Sequence, residues 1–107
     1  MSDRGRIVRL RSGEGGRYLD AWRDADGGLH IDGQDLGPAT AVVSPRGEVE
    51  WFQTIIAEDL PRLLELLDAS PGADILDVLE EHWCGEGADE LESRIRSSDI
   101  PVQRHVI

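Results

Sequence analysis

Residues 17–32 read RYLDAWRDADGGLHID, two alternating segments on either side of a short turn. Successive side chains of an extended strand point to opposite faces. In Arg17–Arg23 this alternation places Tyr18 and Trp22 on one face, with a leucine and an alanine on the other. In Leu29–Asp32 the leucine and isoleucine again share a face, and the intervening DADGG is rich in residues that tolerate turns. The pattern predicts two strands with one apolar face and one face that carries aromatic rings.

Further strand patterns flank this pair. Arg6–Arg11 alternates before a GEGG reversal, so we expect it to form a hairpin with the strand that follows. Ala41–Val43 and Glu48–Ile55 flank SPRG, whose proline and glycine suit the second and fourth positions of a type I turn. GQDLGP at 33–38 interrupts the alternation, which returns in Val102–Val106. We therefore expect five short strands in the first half of the chain and one at the end.

The second half has the apolar periodicity of helices. In a first segment the apolar positions at helical spacing are Ile56, Leu60, Leu63, Leu64 and Leu67. In a second segment Ser70 suits a helix N-cap, Pro71 suits the first helical position, and Gly85 suits the end. The apolar face of that second helix consists of Ile75, Leu76, Leu79 and Trp83. A third helix is predicted from about Ala88 to Ser97.

This order of elements predicts a single domain, residues 1–107, of the α+β class. Strands that are segregated from helices along a chain favour helices packed on one face of a mostly antiparallel sheet. We expect a sheet of about five to six strands, formed by an N-terminal meander and a C-terminal strand, with three helices over one face.

The composition is that of a globular chain, with 39% hydrophobic residues. No apolar run approaches the roughly 20 residues of a membrane span. The N-terminus has no continuous apolar core of a signal peptide, so we expect a cytoplasmic protein. All eleven basic residues are arginine, which is typical of GC-rich bacterial genomes. Cys84 is the only cysteine, and an intramolecular disulfide is therefore impossible.

The net charge of −11 is unevenly spread along the chain. Residues 1–23 contain six arginines and three acids, whereas residues 24–107 contain five arginines and nineteen acids. A field of this sign repels phosphate backbones, so we expect neither a nucleic-acid ligand nor a membrane surface as partner. The same field would steer a basic protein towards this chain. The alternative is that the negative surface only keeps the protein soluble.

Metal motifs are incomplete. DADGGL at 24–29 resembles the start of a calcium loop, but the sixth position is Leu29 rather than glycine and the twelfth is Asp35 rather than a bidentate glutamate. A hairpin turn is the favoured interpretation. The candidate zinc ligands lack ligand spacing, and they are His30, His82, Cys84 and His105. We expect no metal and no cofactor.

Catalytic motifs are also missing. Nothing around Cys84 indicates a nucleophile, and we expect it to be a small buried residue, with His82 covering the edge of the helices. With twenty-two acids in the chain, no pair of carboxylates can be singled out for acid–base chemistry. The sequence identifies no catalytic residue, and we lean towards a protein without enzymatic activity.

Aromatic residues are expected on both faces of the sheet, because Trp51 and Phe52 are consecutive in one strand. The face away from the helices would carry Tyr18 and Trp22, together with Phe52, and would be available to a partner. The alternative is that a loop, the C-terminal strand or a second copy of the chain covers it. Our candidate partner-binding residues are Tyr18, Trp22, Asp24, Asp26, Asp32, Asp35 and Phe52.

Three segments carry a resemblance to a known group: GQDLG at 33–37, EVEWF at 48–52 and DLPRL at 59–63. With the Ile100-Pro101 ending, they resemble a group of small, uncharacterised, acidic bacterial proteins. The resemblance covers most of the chain and implies a strand-rich start and a helix that opens near DLPRL. The group has no assigned activity, but its size and charge are similar to those of immunity proteins that neutralise bacterial toxins.

Three functional hypotheses follow. The first is a non-enzymatic protein-binding module, immunity-like or antitoxin-like, whose acidic surface binds a basic protein partner. The second is a small enzyme or ligand-binding domain with a pocket between sheet and helices, which convergent polar groups in a cleft or a shifted buried carboxylate would favour. The third is a homodimeric structural module.

Overall fold

The computed structural model of this protein describes residues 6–12, 17–35 and 49–106. Within these ranges five strands form one open sheet in chain order, and every neighbouring pair is antiparallel. The strands are β1 (Val8–Ser12), β2 (Arg17–Arg23), β3 (Leu29–Asp35), β4 (Val49–Ile55) and β5 (Gln103–Val106). The predicted strand Ala41–Val43 and the SPRG turn that follows it lie outside the described residues.

Three α-helices connect β4 to β5. They are α1 (Leu60–Leu66), α2 (Ile75–His82) and α3 (Glu86–Ser97), with a 3₁₀ turn at Ala57–Asp59 before α1. We call residues 56–101 the helical layer. The predicted α+β class, with an antiparallel sheet and three helices, is confirmed. None of the helices in the described ranges is long and apolar enough to cross a bilayer.

The hydrophobic core lies between the helical layer and one face of the sheet, which we call the inner face. The buried apolar side chains of the inner face are Val8, Leu10, Leu19, Ala21, Leu29, Ile31 and Ile55. Leu63, Leu79 and Leu91 from the three helices join the same cluster, and each of these ten residues exposes at most 2% of its surface. Full burial of one large aliphatic side chain contributes about 1.5–3 kcal/mol, so this cluster is the main source of stability. The opposite, outer face carries polar and aromatic side chains.

The predicted break in the third strand at Gly33 is wrong, because β3 continues through this residue to Asp35. Gly33 lies directly opposite Trp51 of β4, and the indole ring extends across it. A Cβ atom at position 33 would overlap that ring. The glycine therefore reflects a close approach of a large side chain rather than the end of a strand.

The predicted start of the second helix at Ser70-Pro71 is also wrong. Asp74 is the N-cap of α2, and its Oδ1 accepts hydrogen bonds from the main-chain N–H groups of Leu76 at 2.8 Å and Asp77 at 3.4 Å. Aspartate caps a helix as well as serine does, and this one directly precedes the apolar run of α2.

Two side chains differ from their predicted burial. Ile56 is 46% exposed, because it precedes the first helical turn in an extended conformation and so stands outside the helical periodicity. Cys84, expected to be buried, is exposed in the loop between α2 and α3. That loop contacts the sheet through its main chain, where the Gly85 N–H donates to the Leu10 carbonyl at 2.8 Å.

Candidate functional site: the outer face of the sheet

The register of the sheet arranges the outer face in three rows of directly opposed residues, which share a face. The middle row contains Asp20, Asp32, Phe52 and His105. A second row contains Trp22, His30, Thr54 and Gln103. The third row contains Tyr18, Gln34 and Glu50. Aromatic rings and carboxylates from different strands thereby become neighbours, and the outer face is the candidate functional site.

His30 is the centre of a hydrogen-bonded chain on this face. Its Nε2 lies 2.7 Å from Oδ2 of Asp24, and its Nδ1 lies 3.2 Å from Oγ1 of Thr54. A carboxylate can only accept, so Nε2 carries the proton and donates to Asp24. In the neutral ring, Nδ1 then accepts from the Thr54 hydroxyl. The imidazole is held in one orientation by partners on both sides.

Contacts with His30 and Asp32 hold Trp22 in place. Its ring stacks on the imidazole of His30, with centroids 4.1 Å apart and planes within 12° of parallel. Its indole N–H donates to Oδ2 of Asp32 at 2.7 Å. The ring is therefore held on the face before any partner arrives, which lowers the entropic cost of a contact that uses it.

Asp24 closes the turn between β2 and β3 as well as orienting His30. Its Oδ1 accepts from the main-chain N–H groups of Asp26 and Gly28, both at 2.9 Å. The hydrogen bond from His30, together with these two main-chain donors, lowers the pKa of Asp24 below its ordinary value. The segment that resembles a calcium loop is thus a turn between two strands, and the described residues contain no cluster of three or more potential metal ligands.

Arg9 of β1 shows how the face holds a guanidinium group. Its Nε and Nη2 donate to the two carboxylate oxygens of Asp20, at 2.6 and 3.3 Å. The same guanidinium lies over the ring of Tyr18, 5.7 Å from its centroid. A carboxylate and an aromatic ring together thus bind a single cation, one through hydrogen bonds and one through the ring quadrupole.

The rest of the outer face contains further aromatic rings and hydrogen-bonded polar side chains. Phe52 stacks near His105 of β5, with centroids 6.3 Å apart. Gln34 donates to Glu50 at 3.4 Å. A carboxylate has two oxygens with two lone pairs each, so such a group can accept several hydrogen bonds at once.

The residues predicted from the sequence are partly brought together. Tyr18, Trp22, Asp32 and Phe52 share the outer face. Asp24 joins them through His30. Asp26 is exposed in the turn, outside the hydrogen-bonded chain of side chains. Asp35 lies on the inner side, where Arg17 donates to it at 3.4 Å.

Sequence reasoning missed several residues of the face, namely Arg9, Asp20, His30, Glu50, Thr54 and His105. A signal for some of them was present, because alternation places His30 on the face opposite Leu29 and Ile31. The partners of His30 could not be found in the same way. They depend on the lateral register between β3 and β4 and on the conformation of the turn.

Most of the acid excess lies elsewhere. The helical layer contains thirteen acids and three arginines. The outer face contributes Asp20, Asp32 and Glu50, with Asp24 at its edge, against Arg9 as its cation. The structure therefore separates the long-range negative field, which comes chiefly from the helices, from the surface that presents aromatic rings.

The order Thr54–His30–Asp24 resembles a hydroxyl, base and acid relay. Such a relay also needs donors that stabilise a developing negative charge beside the nucleophile. On the outer face Thr54 lies opposite Gln103, a single amide, and the other groups nearby are carboxylates and rings. At the other candidate nucleophile, partial desolvation of the exposed Cys84 and the charge of Glu80 raise the pKa of its thiol, which disfavours the reactive thiolate. The geometry thus favours a rigid recognition surface over a reaction centre.

No protein-family model matches this chain, and neither curated proteins nor solved structures yield a match. The resemblance carried by GQDLG, EVEWF and DLPRL stays a prediction.

Proposed function

We propose that this protein is a non-enzymatic binding module whose outer sheet face binds an arginine-containing segment of a basic protein. An immunity-like or antitoxin-like role in the bacterial cytoplasm is the biological setting that the size and charge favour. In that role an acidic protein would cover a basic surface of its partner through complementary charge.

The observation that carries the proposal is the environment of Arg9. Asp20 holds its guanidinium through two hydrogen bonds, and Tyr18 contacts it through a ring face. The outer face therefore already binds one arginine of its own chain. An arginine from a partner would find the same two kinds of group nearby.

The neighbouring strands carry a second carboxylate beside an aromatic ring. Asp32 lies directly opposite Phe52, so a carboxylate again stands beside an aromatic ring. Trp22 and Glu50 flank this pair. The groups stand on paired strands and hold their positions without help from a ligand. Their side chains therefore lose little conformational entropy when a partner binds.

The helical layer adds the long-range component. Its thirteen acids create a negative field that accelerates the approach of a basic protein without touching it. Salt screens this field within about 10 Å at moderate ionic strength, whereas close contacts on the outer face are screened less. The two contributions can therefore be separated by experiment.

The test uses a peptide of alternating arginine and serine, titrated into the labelled protein and followed by two-dimensional amide NMR. We expect saturable shifts at the Trp22 indole and along β2, β3 and β4, at low salt and in weaker form at high salt. The variants Asp32→Asn and Phe52→Ala should each weaken binding about tenfold, the scale of one charge-assisted or one aromatic anchor contact.

Two controls make the test specific. Glu65→Gln removes an exposed acid of α1, and binding should change less than about twofold because only the distant field is altered. Arg9→Gln should strengthen binding, since it vacates the site formed by Asp20 and Tyr18. The proposal fails if the peptide shifts residues of the helical layer alone, or if Asp32→Asn and Glu65→Gln have equal effects.

A further inference from the structure

Two arginines of the inner side differ from all the others in the described ranges. Seven arginines there have hydrogen-bonding or ion-pair partners, and they are Arg6, Arg9, Arg11, Arg17, Arg23, Arg62 and Arg94. Within the same ranges the side chains of Arg96 of α3 and Arg104 of β5 form neither an ion pair nor a hydrogen bond. Both residues are exposed, and Glu92 interacts electrostatically with both guanidinium groups without forming an ion-pair contact.

Arg96 and Arg104 both line one pocket of about 250 Å³ between α3, β4 and β5. Its apolar wall consists of Ile95, Ile100 and Val102. This volume lies just below the lower end of the range of small-molecule sites. The pocket thus combines a small apolar wall with two cations.

Gln53 is a further polar residue of the pocket lining. Gln53 stands on the inner face of β4, directly opposite Arg104. Its Nε2 is buried and has no hydrogen-bond partner among the described residues. A buried donor without a partner costs about 1–3 kcal/mol, and an acceptor on a ligand would remove that cost.

Glu92 is the acidic member of the lining. Burial raises its pKa above the ordinary value, and Asp89 acts in the same direction, whereas Arg96, Arg17 and Arg104 oppose them. Arg96 and Arg104 therefore face one partly buried carboxyl group in the same pocket, and a ligand's carboxylate would bind on the guanidinium side of the lining.

We infer that this pocket binds a small organic monocarboxylate, with the carboxylate held by Arg96, Arg104 and Gln53 and the apolar part against Ile95, Ile100 and Val102. Guanidinium groups match the planar geometry of a carboxylate. A dianion such as phosphate would be opposed by the overall charge of −11 and would leave the apolar wall uncovered. The site is on the other side of the sheet from the proposed protein-binding face and is independent of it.

Hexanoate is the probe, with hexanol as its uncharged counterpart and inorganic phosphate as the dianion. We expect saturable amide and arginine side-chain NMR shifts at Gln53, Arg96 and Arg104 with hexanoate, and much weaker shifts with the other two compounds. Arg96→Gln and Arg104→Gln should each weaken hexanoate binding at least about tenfold, because each removes a charge-assisted hydrogen bond.

Arg9→Gln is the matched control, since it removes the same charge on the outer face, and hexanoate binding should be unchanged. Gln53→Leu removes the buried donor at similar volume; it should fold at least as stably as the natural chain and bind hexanoate more weakly. Equal responses to hexanoate and hexanol would overturn the proposal. So would unchanged binding in both arginine variants of the pocket, or shifts that map to the outer face.

Discussion

The two sides of β4 differ in how their polar groups are satisfied. On the outer side, Glu50 accepts a hydrogen bond from Gln34, and Thr54 bonds His30 at 3.2 Å. On the inner side, Nε1 of Trp51 and Nε2 of Gln53 are buried without a hydrogen-bond partner in the described part of the chain. Neighbouring residues of β4 thus lie on two different surfaces. On the outer one the named polar groups are hydrogen-bonded, and on the inner one two buried donors have no partner among the described residues.

This difference indicates two kinds of ligand. The outer side holds its groups in place by bonds among themselves and presents carboxylates and ring faces over several strands, which suits a macromolecular surface. The inner side has a pocket lined by Gln53, whose amide nitrogen lacks a partner among the described residues, and by two exposed guanidinium groups without ion-pair contacts, which suits a small molecule. Amino-acid substitutions on either side of the sheet test whether the two sides differ in this way.

The largest expected effect concerns the contact between Gly33 and Trp51 on the inner side. Gly33→Ala places a methyl group where the indole ring lies, so the ring must move within a packed core. We expect the free energy of unfolding to fall by about 3 kcal/mol, as for other overpacked sites. Urea denaturation measures it.

A double-mutant cycle serves as the control for this loss. In a Trp51→Leu background the smaller side chain leaves room for the added methyl group, so Gly33→Ala should cost much less there. An equal loss in both backgrounds would show that the indole ring does not explain the glycine.

A smaller effect is expected at Asp24 on the outer side. Asp24→Asn removes the charge that His30 and two main-chain donors stabilise, and at neutral pH it should destabilise the protein by about 1.5 kcal/mol. The folded-state pKa of Asp24 is lowered, so its contribution is complete above the ordinary value of 3.8 and is lost as pH falls through the lowered value. The difference between the two proteins should shrink accordingly in urea denaturation at decreasing pH.

Asp26→Asn is the matched control, because it makes the same change in the same turn on an exposed side chain. Its effect should stay within about 0.5 kcal/mol and vary little with pH. Similar pH profiles for both variants would contradict the role given to Asp24.

The smallest effect is expected at Glu92 and has the opposite sign. Burial raises the folded-state pKa of Glu92, so the natural chain loses stability as pH rises from the ordinary value of 4.5 through the raised one. Glu92→Gln lacks this loss and should be more stable by about 0.5 kcal/mol at neutral pH, the scale of a partly exposed position. Below pH 4.5 the two proteins should unfold alike.

Glu65→Gln, at an exposed position of α1, should leave the pH dependence of unfolding as it is. If Glu92→Gln behaved like Glu65→Gln, Glu92 would be an ordinary surface acid and the inner pocket would be open to water.

Much of the fold was predictable from local patterns. Alternation identified β2 and the faces of its side chains, and helical spacing identified the stripe Leu60, Leu63, Leu64 and Leu67, which is buried in the core. The failures have identifiable causes. Gly33 predicts a break because glycine ends many strands, and Ser70 predicts the N-cap because a proline follows it, but β3 continues through Gly33 and Asp74 caps α2.

For the candidate site, the sequence predicted that Tyr18, Trp22 and Phe52 share a face but not what surrounds them. It assigned Asp35 to the same surface, whereas the pairing of Asp35 with Arg17 lies on the inner side. It offered no reason to group Gln53 with Arg96 and Arg104. These residues are distant in the chain, and no periodicity connects them.

The amino-acid sequence by itself determined which side of each strand and helix is apolar, where the negative charge accumulates, and that helices follow strands. These are properties of neighbouring residues, fixed by the geometry of an extended or helical backbone. Only the tertiary structure decided that His30 stands between Asp24 and Thr54, that Trp51 lies across Gly33, and that two arginines converge beside a buried amide. Such juxtapositions depend on strand register and on the fit of side-chain volumes between layers, which are set jointly by segments far apart in the chain.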